Sequence, residues 1–334
     1  MRDLLPRRLG TEHWLALVIL ALAAFWSLMT PWFLTLPNAV DILETWSVTT
    51  ILALGVFVVL VAGGIDISFA ATASVAQYAA ANAAANAGWP AMAAISLGLG
   101  VGVLLGLLNA ALIYHLRIAS IIVTIATQSV YFALLMWWTG GKLIPVLPDW
   151  WSDRIVFAQG QAADGSLIRI TLPIVAAAAC ALATWLLMNW TAAGRQLYCM
   201  GGNPEAARRV GIGIARMHYL AYGFLGFMAG LAGLVQAHRV GQAVPNAMVG
   251  QELGVLAAAV LGGASLNGGV GSVGGVLLGL LMLAILQNGL NLLGWSSYFF
   301  PVVIGLVILI STSITGLASR PGRRRARITG AAHG

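Results

Sequence analysis

The stretch TWSVTTILALGVFVVLVA, residues 45 to 62, decides which kind of fold this chain can adopt. It contains no charged residue, and a helix of about 20 apolar residues is long enough to cross the hydrocarbon core of a bilayer. Comparable runs recur along the whole chain. They predict ten membrane-spanning helices, near residues 14–36, 45–62, 67–87, 91–113, 120–138, 170–190, 217–237, 250–265, 272–293 and 298–317.

The composition excludes a soluble globular domain. Of the 334 residues, 60% are hydrophobic and only 8% are charged, whereas soluble domains carry about 25% charged residues. The pI near 10 does not indicate nucleic-acid binding, because the basic residues are dispersed at the ends of apolar runs instead of covering one domain face. The predicted fold class is all-α, a polytopic helical bundle in a membrane that forms a single domain over residues 1–334.

Two places interrupt the predicted helices. The eighth apolar run is short and contains Glu252 and the pair Gly262 and Gly263, which predicts a broken or re-entrant segment. The sequence GGIDIS at 63–68 permits a similar break between the second and third helices. It resembles GGASLN at 262–267, which is compatible with an internal duplication, although six residues do not establish one.

The distribution of basic residues predicts the orientation. Thirteen of the 17 basic residues lie in segments that an even number of spans puts on one side, and four lie opposite. Because basic loops stay in the cytoplasm, both termini are expected there. The predicted cytoplasmic segments are the tail 1–13, the loop 191–216 and the basic tail 318–334, and the long loop 139–169 is predicted outside.

The segment GGNPEAARRVGIGI, residues 201–214, predicts a short polar helix between two hydrophobic spans. Asn203 is a good N-cap, Pro204 suits the first helical position, and Glu205 complements the positive helix N-terminus. Gly211 can adopt the left-handed conformation that ends a helix. A capped, charged helix on the cytoplasmic side suits docking of a partner. An ordinary polar connector remains the alternative.

Some polar side chains lie inside the predicted spans. Asp66 and Glu252 are the acidic ones, and burying a charge in a bilayer favours a cavity or a partner group. For Asp66, capping of the third helix is an equally good explanation. The uncharged candidates for a passage through the bundle, or for hydrogen bonds between helices, are Gln77, Tyr78, Asn82, Gln128 and Asn288.

Three glycine stripes predict close packing of helices, because small residues let backbones approach each other. They are Gly98, Gly102 and Gly106; Gly226 and Gly230; and Gly271, Gly275 and Gly279.

The sequence lacks the motifs typical of nucleotide binding and of hydrolytic catalysis. Lys142, the only lysine, does not follow the GxxxxGK[ST] spacing of a phosphate-binding loop, and neither HExxH nor a GxSxG-type nucleophile occurs. We therefore expect no enzymatic activity, no metal site and no cofactor in this chain.

Three blocks resemble the permease subunits of bacterial ABC importers for simple sugars, of the ribose, xylose, arabinose, galactose, rhamnose and autoinducer-2 type. These blocks are GGIDIS at 63–68, GRQLYCMGGNPEAARRVGI at 194–212 and LAAAVLGGASLNGGVGSVGGVLLG at 256–279. Branched-chain amino-acid permeases are more distantly similar. The resemblance covers nearly the whole chain but does not identify the solute.

The resemblance implies a set of roles and partners. The short helix would be the coupling element that docks on a cytoplasmic ATPase, which would bind ATP and magnesium; its residues are Asn203, Pro204, Glu205, Ala206, Ala207, Arg208, Arg209 and Gly211. A second permease subunit and a periplasmic sugar-binding protein would complete an importer in the bacterial inner membrane, so that the loop 139–169 would be periplasmic. The structural core around the path would include Gly63, Gly64, Asp66, Ser68 and Ser265.

Alternatives remain from the sequence alone. An ion-coupled secondary transporter would use Asp66 or Glu252 as its ion site. An ABC permease for another solute, such as a branched-chain amino acid, would share the same three blocks. A passive channel is disfavoured, because nothing resembles a filter segment.

Overall fold

A computed structural model describes residues 11–162, 165–296, 298–306 and 309. The helices are α1 (Thr11–Met29), α2 (Leu36–Val61), α3 (Phe69–Ala85), α4 (Ala91–Leu116), α5 (Ser120–Thr139), α6 (Asp149–Ser152), α7 (Leu172–Trp190), α8 (Ala192–Gly202), α9 (Pro204–Arg209), α10 (Ile214–Val240), α11 (Glu252–Leu261) and α12 (Val273–Leu292). Residues 299–306 are also helical. Two strands, β1 (Val156–Gln161) and β2 (Leu167–Thr171), pair antiparallel.

The predicted helical membrane bundle is confirmed. In the described ranges, seven helices are long and apolar enough to span a bilayer, namely α1, α2, α4, α5, α7, α10 and α12. The third predicted span is α3, which has 17 residues, and the eighth is α11, which has only 10. The tenth predicted span, 298–317, extends beyond the described residues. The predicted basic tail 318–334 lies entirely outside them. Most of the predicted tail 1–13 also lies outside them, and α1 already begins at Thr11.

The boundary between the first two spans differs from the prediction. The expected helix 14–36 ends at Met29, because Pro31 cannot continue it. Helix α2 begins at Leu36, nine residues earlier than predicted, with Thr35 as its N-cap and Pro37 in its first turn. Helix α2 therefore has 26 residues.

Helix α2 lies at the centre of the bundle. Every residue from Ile51 to Val61 is buried, and α2 packs on α7, α10, α11 and α12. A helix that is apolar all round belongs in a core. Helix α3 is also enclosed, and its small alanine side chains let α4 and α10 pack closely on it.

Two of the glycine stripes pack against each other. Carbon atoms added at Gly102 and Gly226 would each overlap the other glycine's carbonyl oxygen, and Gly106 faces the Tyr222 carbonyl. Helices α4 and α10 thus touch along their backbones. In the third stripe, Gly275 and Gly279 of α12 face α11, but Gly271 lies before the helix begins.

The two ends of the bundle are distinct. The end that carries α9, called the α9 end below, receives the C-termini of α2 and α11. The opposite end, the hairpin end, carries β1 and β2, the one departure from the all-α prediction among the described residues. There Trp151 is buried; its Nε1 donates to Leu234 O (3.2 Å), and its carbonyl oxygen lies 2.6 Å from His238 Nδ1.

Helix α11 spans only part of the bundle. Its ten residues are about 15 Å long. Glu252 at its start accepts a hydrogen bond from Gln128 Nε2 (2.8 Å), and Gln128 lies in the middle of α5. The predicted break in the eighth segment is confirmed, because α11 begins inside the bundle and ends at the α9 end.

Helices α2 and α11 end in the same way. Gly63 and Gly263 have φ angles of 86° and 90°, and their amides donate to Leu60 and Val260. The next amides, of Gly64 and Ala264, donate to carbonyl oxygens five residues back (3.0 Å each). Both ends are therefore Schellman motifs with glycine at the left-handed position, so the resemblance of GGIDIS to GGASLN extends to backbone geometry.

Candidate functional site

Helix α9 forms as the sequence predicts. The Asn203 side chain accepts a hydrogen bond from Ala206 N (3.0 Å), with Pro204 in the first turn. At the other end, Gly211 has a φ of 85°, and Ile212 N donates to Ala207 O (3.0 Å). Local side-chain and backbone bonds therefore close both ends of this six-residue helix.

All residues of helix α9 except Ala207 are exposed. Ala207 is buried, whereas Pro204, Glu205, Ala206, Arg208, Arg209 and Gly211 are exposed. Val210, which was not among the predicted residues, is 76% exposed. An apolar side chain beside two arginines, at the end of a helix anchored by one alanine, suits contact with another molecule.

The loop that contains α9 also holds a second helix, which the sequence did not predict. Helix α8 is amphipathic, and Thr191 caps it by accepting a hydrogen bond from Gly194 N (3.0 Å). Leu197 and Met200 are buried, whereas Cys199 is exposed. The buried side chains hold α8 against the bundle, and α9 follows directly from the end of α8.

Four glycines, Gly63, Gly201, Gly268 and Gly269, bring three segments into backbone contact at the root of α9. We call them the glycine junction. A Cβ at Gly201 would overlap the Val61 carbonyl oxygen and lie 2.6 Å from Gly269 N. Gly269 N itself donates to Val61 O (2.9 Å). The ends of α2 and α8 and the loop between α11 and α12 thus meet here without intervening side chains.

A tyrosine reinforces the glycine junction. Tyr198 of α8 donates a hydrogen bond from Oη to the carbonyl oxygen of Gly271 (2.8 Å). Partial burial raises the pKa of this phenol above its usual value. The three sequence blocks that carried the family resemblance therefore converge on one small region.

Asp66 lies in a buried polar network beside this junction. Its Oδ1 accepts from both the amide and the hydroxyl of Ser68 (2.7 Å each), and Oδ2 accepts from Asn109 Nδ2 (3.3 Å). Asn109 Oδ1 accepts from Tyr131 Oη (3.2 Å). The carboxylate therefore holds the start of α3 and ties it to α4 and, through Asn109, to α5.

Two members of this network were missed from the sequence. Asn109 lies three residues after Gly106, at the end of the first glycine stripe, and an amide on an otherwise apolar helix was a usable signal. Tyr131 had no comparable signal, because aromatic side chains are frequent in membrane helices.

The other predicted candidates are scattered. Tyr78 donates to the Lys142 carbonyl oxygen (3.1 Å) and Asn82 accepts from Asn86 (2.8 Å), both towards the hairpin end. Asn288 exchanges two hydrogen bonds with Asn38 of α2. Gln77 is buried, and Ser265 accepts from Asn267 N (3.1 Å) within its own loop. Ser265 thus lies in the loop that carries Gly268 of the glycine junction. The structure places Gly63, Gly64, Asp66 and Ser68 beside this junction and leaves Gln77, Tyr78, Asn82 and Asn288 apart from it.

Comparisons with known proteins agree with this architecture. Residues 38–312 match the family described as branched-chain amino acid transport system / permease component. No solved structure matches the chain significantly.

Curated relatives resemble the chain over nearly its whole length. The ribose import permease protein RbsC of Escherichia coli K12 is 33% identical over 315 residues, 92% of this chain and 96% of that protein. The Bacillus subtilis RbsC is 35% identical over 85% of this chain and 86% of that protein. The galactose/methyl galactoside import permease protein MglC of Salmonella typhimurium is 32% identical over 92% and 94%. The chain therefore belongs to the family described as branched-chain amino acid transport system / permease component, and the predicted resemblance to sugar-import permeases is confirmed by these relatives.

Proposed function

We propose that this chain is the membrane subunit of an ABC importer that carries a monosaccharide or a related small polyol or furanosyl solute. A periplasmic binding protein delivers the solute, and a separate cytoplasmic ATPase, which binds ATP and magnesium, drives alternating access. A second permease subunit completes the pathway. The chain lies in the bacterial inner membrane with both termini in the cytoplasm. The relatives named for ribose and galactose import support this choice of solute.

The observation that carries the proposal is the root of α9. The helix exposes Glu205, Arg208 and Val210 to a partner, while the residue two positions before it, Gly202, follows directly on the glycine junction. Tightly packed backbones have little freedom to absorb a displacement. Movement of α9 by a docked ATPase would therefore reach the end of α2, the central helix, and the loop that follows α11, the half-length helix of the bundle.

The chain itself performs no catalysis in this proposal. Its segments that face the cytoplasm are the short α8–α9 loop, other turns and the terminal tails. A phosphate-binding motif is absent from the sequence. Hydrolysis is thus assigned to the partner, and the tail 318–334 and the loop 191–216 are assigned to the same side as that partner.

Ion coupling through the buried acids is less well supported. Both Asp66 oxygens accept hydrogen bonds from residues that hold helices together. Glu252 is similarly occupied, by Gln128 Nε2 and Gly250 N (2.8 Å each). Each carboxylate thus has a structural role in the bundle.

The docking role is tested by Arg208→Glu in the full transporter. Reversing a charge at an interface adds repulsion, so we expect ATPase co-purification and sugar uptake to fall by about tenfold or more. Lys142→Glu, an equal change of charge on an exposed residue towards the hairpin end, should alter neither. Normal assembly and uptake in the Arg208 variant, at wild-type protein level, would contradict the proposal.

A further inference from the structure

A cavity of about 470 Å³ lies beside the N-terminus of the half-length helix α11. It is bounded by α2, α10, α11, α12 and residues 300–305. This volume is typical of small-molecule sites. Eight side chains in its wall offer hydrogen-bonding groups or an aromatic face: Thr45, Trp46, Thr49, Gln236, Arg239, Gln251, Gln287 and Phe300.

Several polar groups in this wall have unused hydrogen-bonding capacity. Arg239 Nε is buried and has no partner among the described residues. The Thr49 hydroxyl and the Gln287 amide, both partly buried, also make no hydrogen bond within the part of the chain that the structure describes. Since buried polar groups are normally satisfied, these groups favour a polar occupant.

The wall also has an aromatic side. Trp46 and Phe300 meet edge to face, with ring centroids 6.1 Å apart and planes at 87°. Aromatic surface combined with a few placed polar groups is the usual lining of a site for a small organic molecule.

Among the described residues, Arg239 is the one charged side chain in the wall of the cavity. The Glu252 carboxylate lies in the first turn of α11 and offsets its positive end. Arg239 donates from Nη1 to Thr45 O (3.2 Å) and from Nη2 to Gln236 Oε1 (3.1 Å). No Asp or Glu lines the cavity in the described ranges. A zwitterionic amino acid would therefore lack a carboxylate for its ammonium group.

We propose that this cavity binds one neutral, polyhydroxylated solute of monosaccharide size on its way through the membrane. The amide of Gln287, the Thr49 hydroxyl and Arg239 Nε hydrogen-bond its hydroxyl groups, since an amide can both donate and accept. Trp46 contacts its apolar face. The assignment rests on the proposed function and adds to it a site and a reason for preferring a sugar to an amino acid.

Two smaller cavities lie near the hairpin end. One, of about 180 Å³, lies between β2 and the start of α2, and a second, of about 290 Å³, lies beside the end of α10. Glu44 and Arg154 line both, and their side chains form an ion pair (2.6 Å). Arg239 lines the second cavity and the large one. The three cavities thus follow one another from the hairpin end to α11.

Protection of an introduced cysteine tests binding without any partner protein. Thr49→Cys and, separately, Gln251→Cys are made in a Cys199→Ser background, because Cys199 is exposed and the remaining Cys180 is buried. The purified full chain is treated with a small methanethiosulfonate reagent, with and without D-ribose or D-galactose at about 100 mM. We expect either sugar to slow labelling several-fold and L-leucine to leave it unchanged. Equal rates with and without both sugars, at both positions, would overturn the site.

Uptake by the full transporter gives the second measurement. Gln287→Met keeps the length of the side chain and removes its amide, so we expect the sugar concentration at half-maximal uptake, or the uptake itself, to change by about tenfold. Gln159→Met, on the exposed strand β1, is the matched control. Unchanged uptake in the Gln287 variant would count against the site.

The two proposals fail differently. Sugar protection of the cysteines without ATP-dependent uptake by the wild type would retain the site and remove the importer. Uptake that needs the ATPase, without protection, would retain the importer and remove the site.

Discussion

At Gly201 the main chain of α8 lies against two other segments with no space for a methyl group. Its neighbours are the carbonyl oxygen at the end of α2 and the amide of Gly269. Gly201 has no positive φ, so its requirement for glycine comes from contact alone. Gly268 and Gly269 combine positive φ angles with backbone contacts in which a Cβ would lie 2.7 and 2.6 Å from the nearest atom.

Gly201→Ala is expected to destabilise the protein by on the order of 3 kcal/mol, because a side chain must displace backbone atoms. The expected result is a fall in Tm in detergent and loss of uptake. The neighbouring Gly202→Ala is the matched control, since a Cβ there meets nothing within 4 Å. Equal stability of the two variants would show that the three segments are not packed as described.

Individual residues were predicted unevenly from the sequence. The caps of α9 were predictable because capping depends on local hydrogen bonds between residues three to five apart. Asn109 and Tyr131 were not found, because their partners are distant in sequence: Asn109 donates to Asp66, 43 residues away, and Tyr131 donates to Asn109, 22 residues away. Only folding brings them together.

Helices α4 and α10 pack with their backbones in contact over several turns. Gly98, Gly102 and Gly106 of α4 lie on one face, and α10 presents Gly226 and Gly230 to it. Packing in lipid depends on such close approach, because lipid tails supply no hydrophobic driving force between helices.

Gly102→Ala places a methyl group against the carbonyl of Gly226 and 2.9 Å from Gly230 Cα. We expect a loss of about 2 kcal/mol and a lower Tm. Gly100→Ala is made in the same helix, where a Cβ has no neighbour within 4 Å, and should be neutral or slightly stabilising. Both changes would be measured by thermal unfolding in the same detergent. A neutral Gly102 variant would be inconsistent with this packing.

Long apolar elements were predicted well, and connections less well. Periodic apolar runs specify a membrane helix by composition alone. In contrast, α8 and the strands β1 and β2 consist of mixed polar residues, whose structure depends on the surface beneath them. Helix α1 ends before Pro31, and α2 starts early with Pro37 in its first turn. A count of apolar residues does not register these two prolines.

At the scale of the whole molecule, the two ends of the bundle carry different charges and chemistry. The α9 end presents Arg117, Arg195, Arg208 and Arg209 as exposed side chains. Orientation was predicted from this asymmetry, because basic segments stay on the cytoplasmic side.

Native Cys199 reports that orientation. It is exposed at the α9 end, whereas Cys180 is buried. A membrane-impermeant thiol reagent should label Cys199 in inside-out vesicles and leave it unlabelled in intact spheroplasts. Gln159→Cys in a Cys199→Ser background, on the strand β1, should show the reverse. Labelling of Cys199 from outside would invert the topology and remove the ATPase-docking role.

Helix α10 connects these two ends without interruption. It runs for 27 residues, about 40 Å, from Ile214 next to the α9 loop to Val240. In its last turn, the His238 ring contacts the Trp151 carbonyl oxygen. Ala243, just beyond it, pairs with Ile144 of the loop between α5 and α6. In the proposed importer, a tilt of this rod imposed at the α9 end would therefore also displace the segments around Ile144 and Trp151, so that one rigid helix would couple the two faces of the subunit.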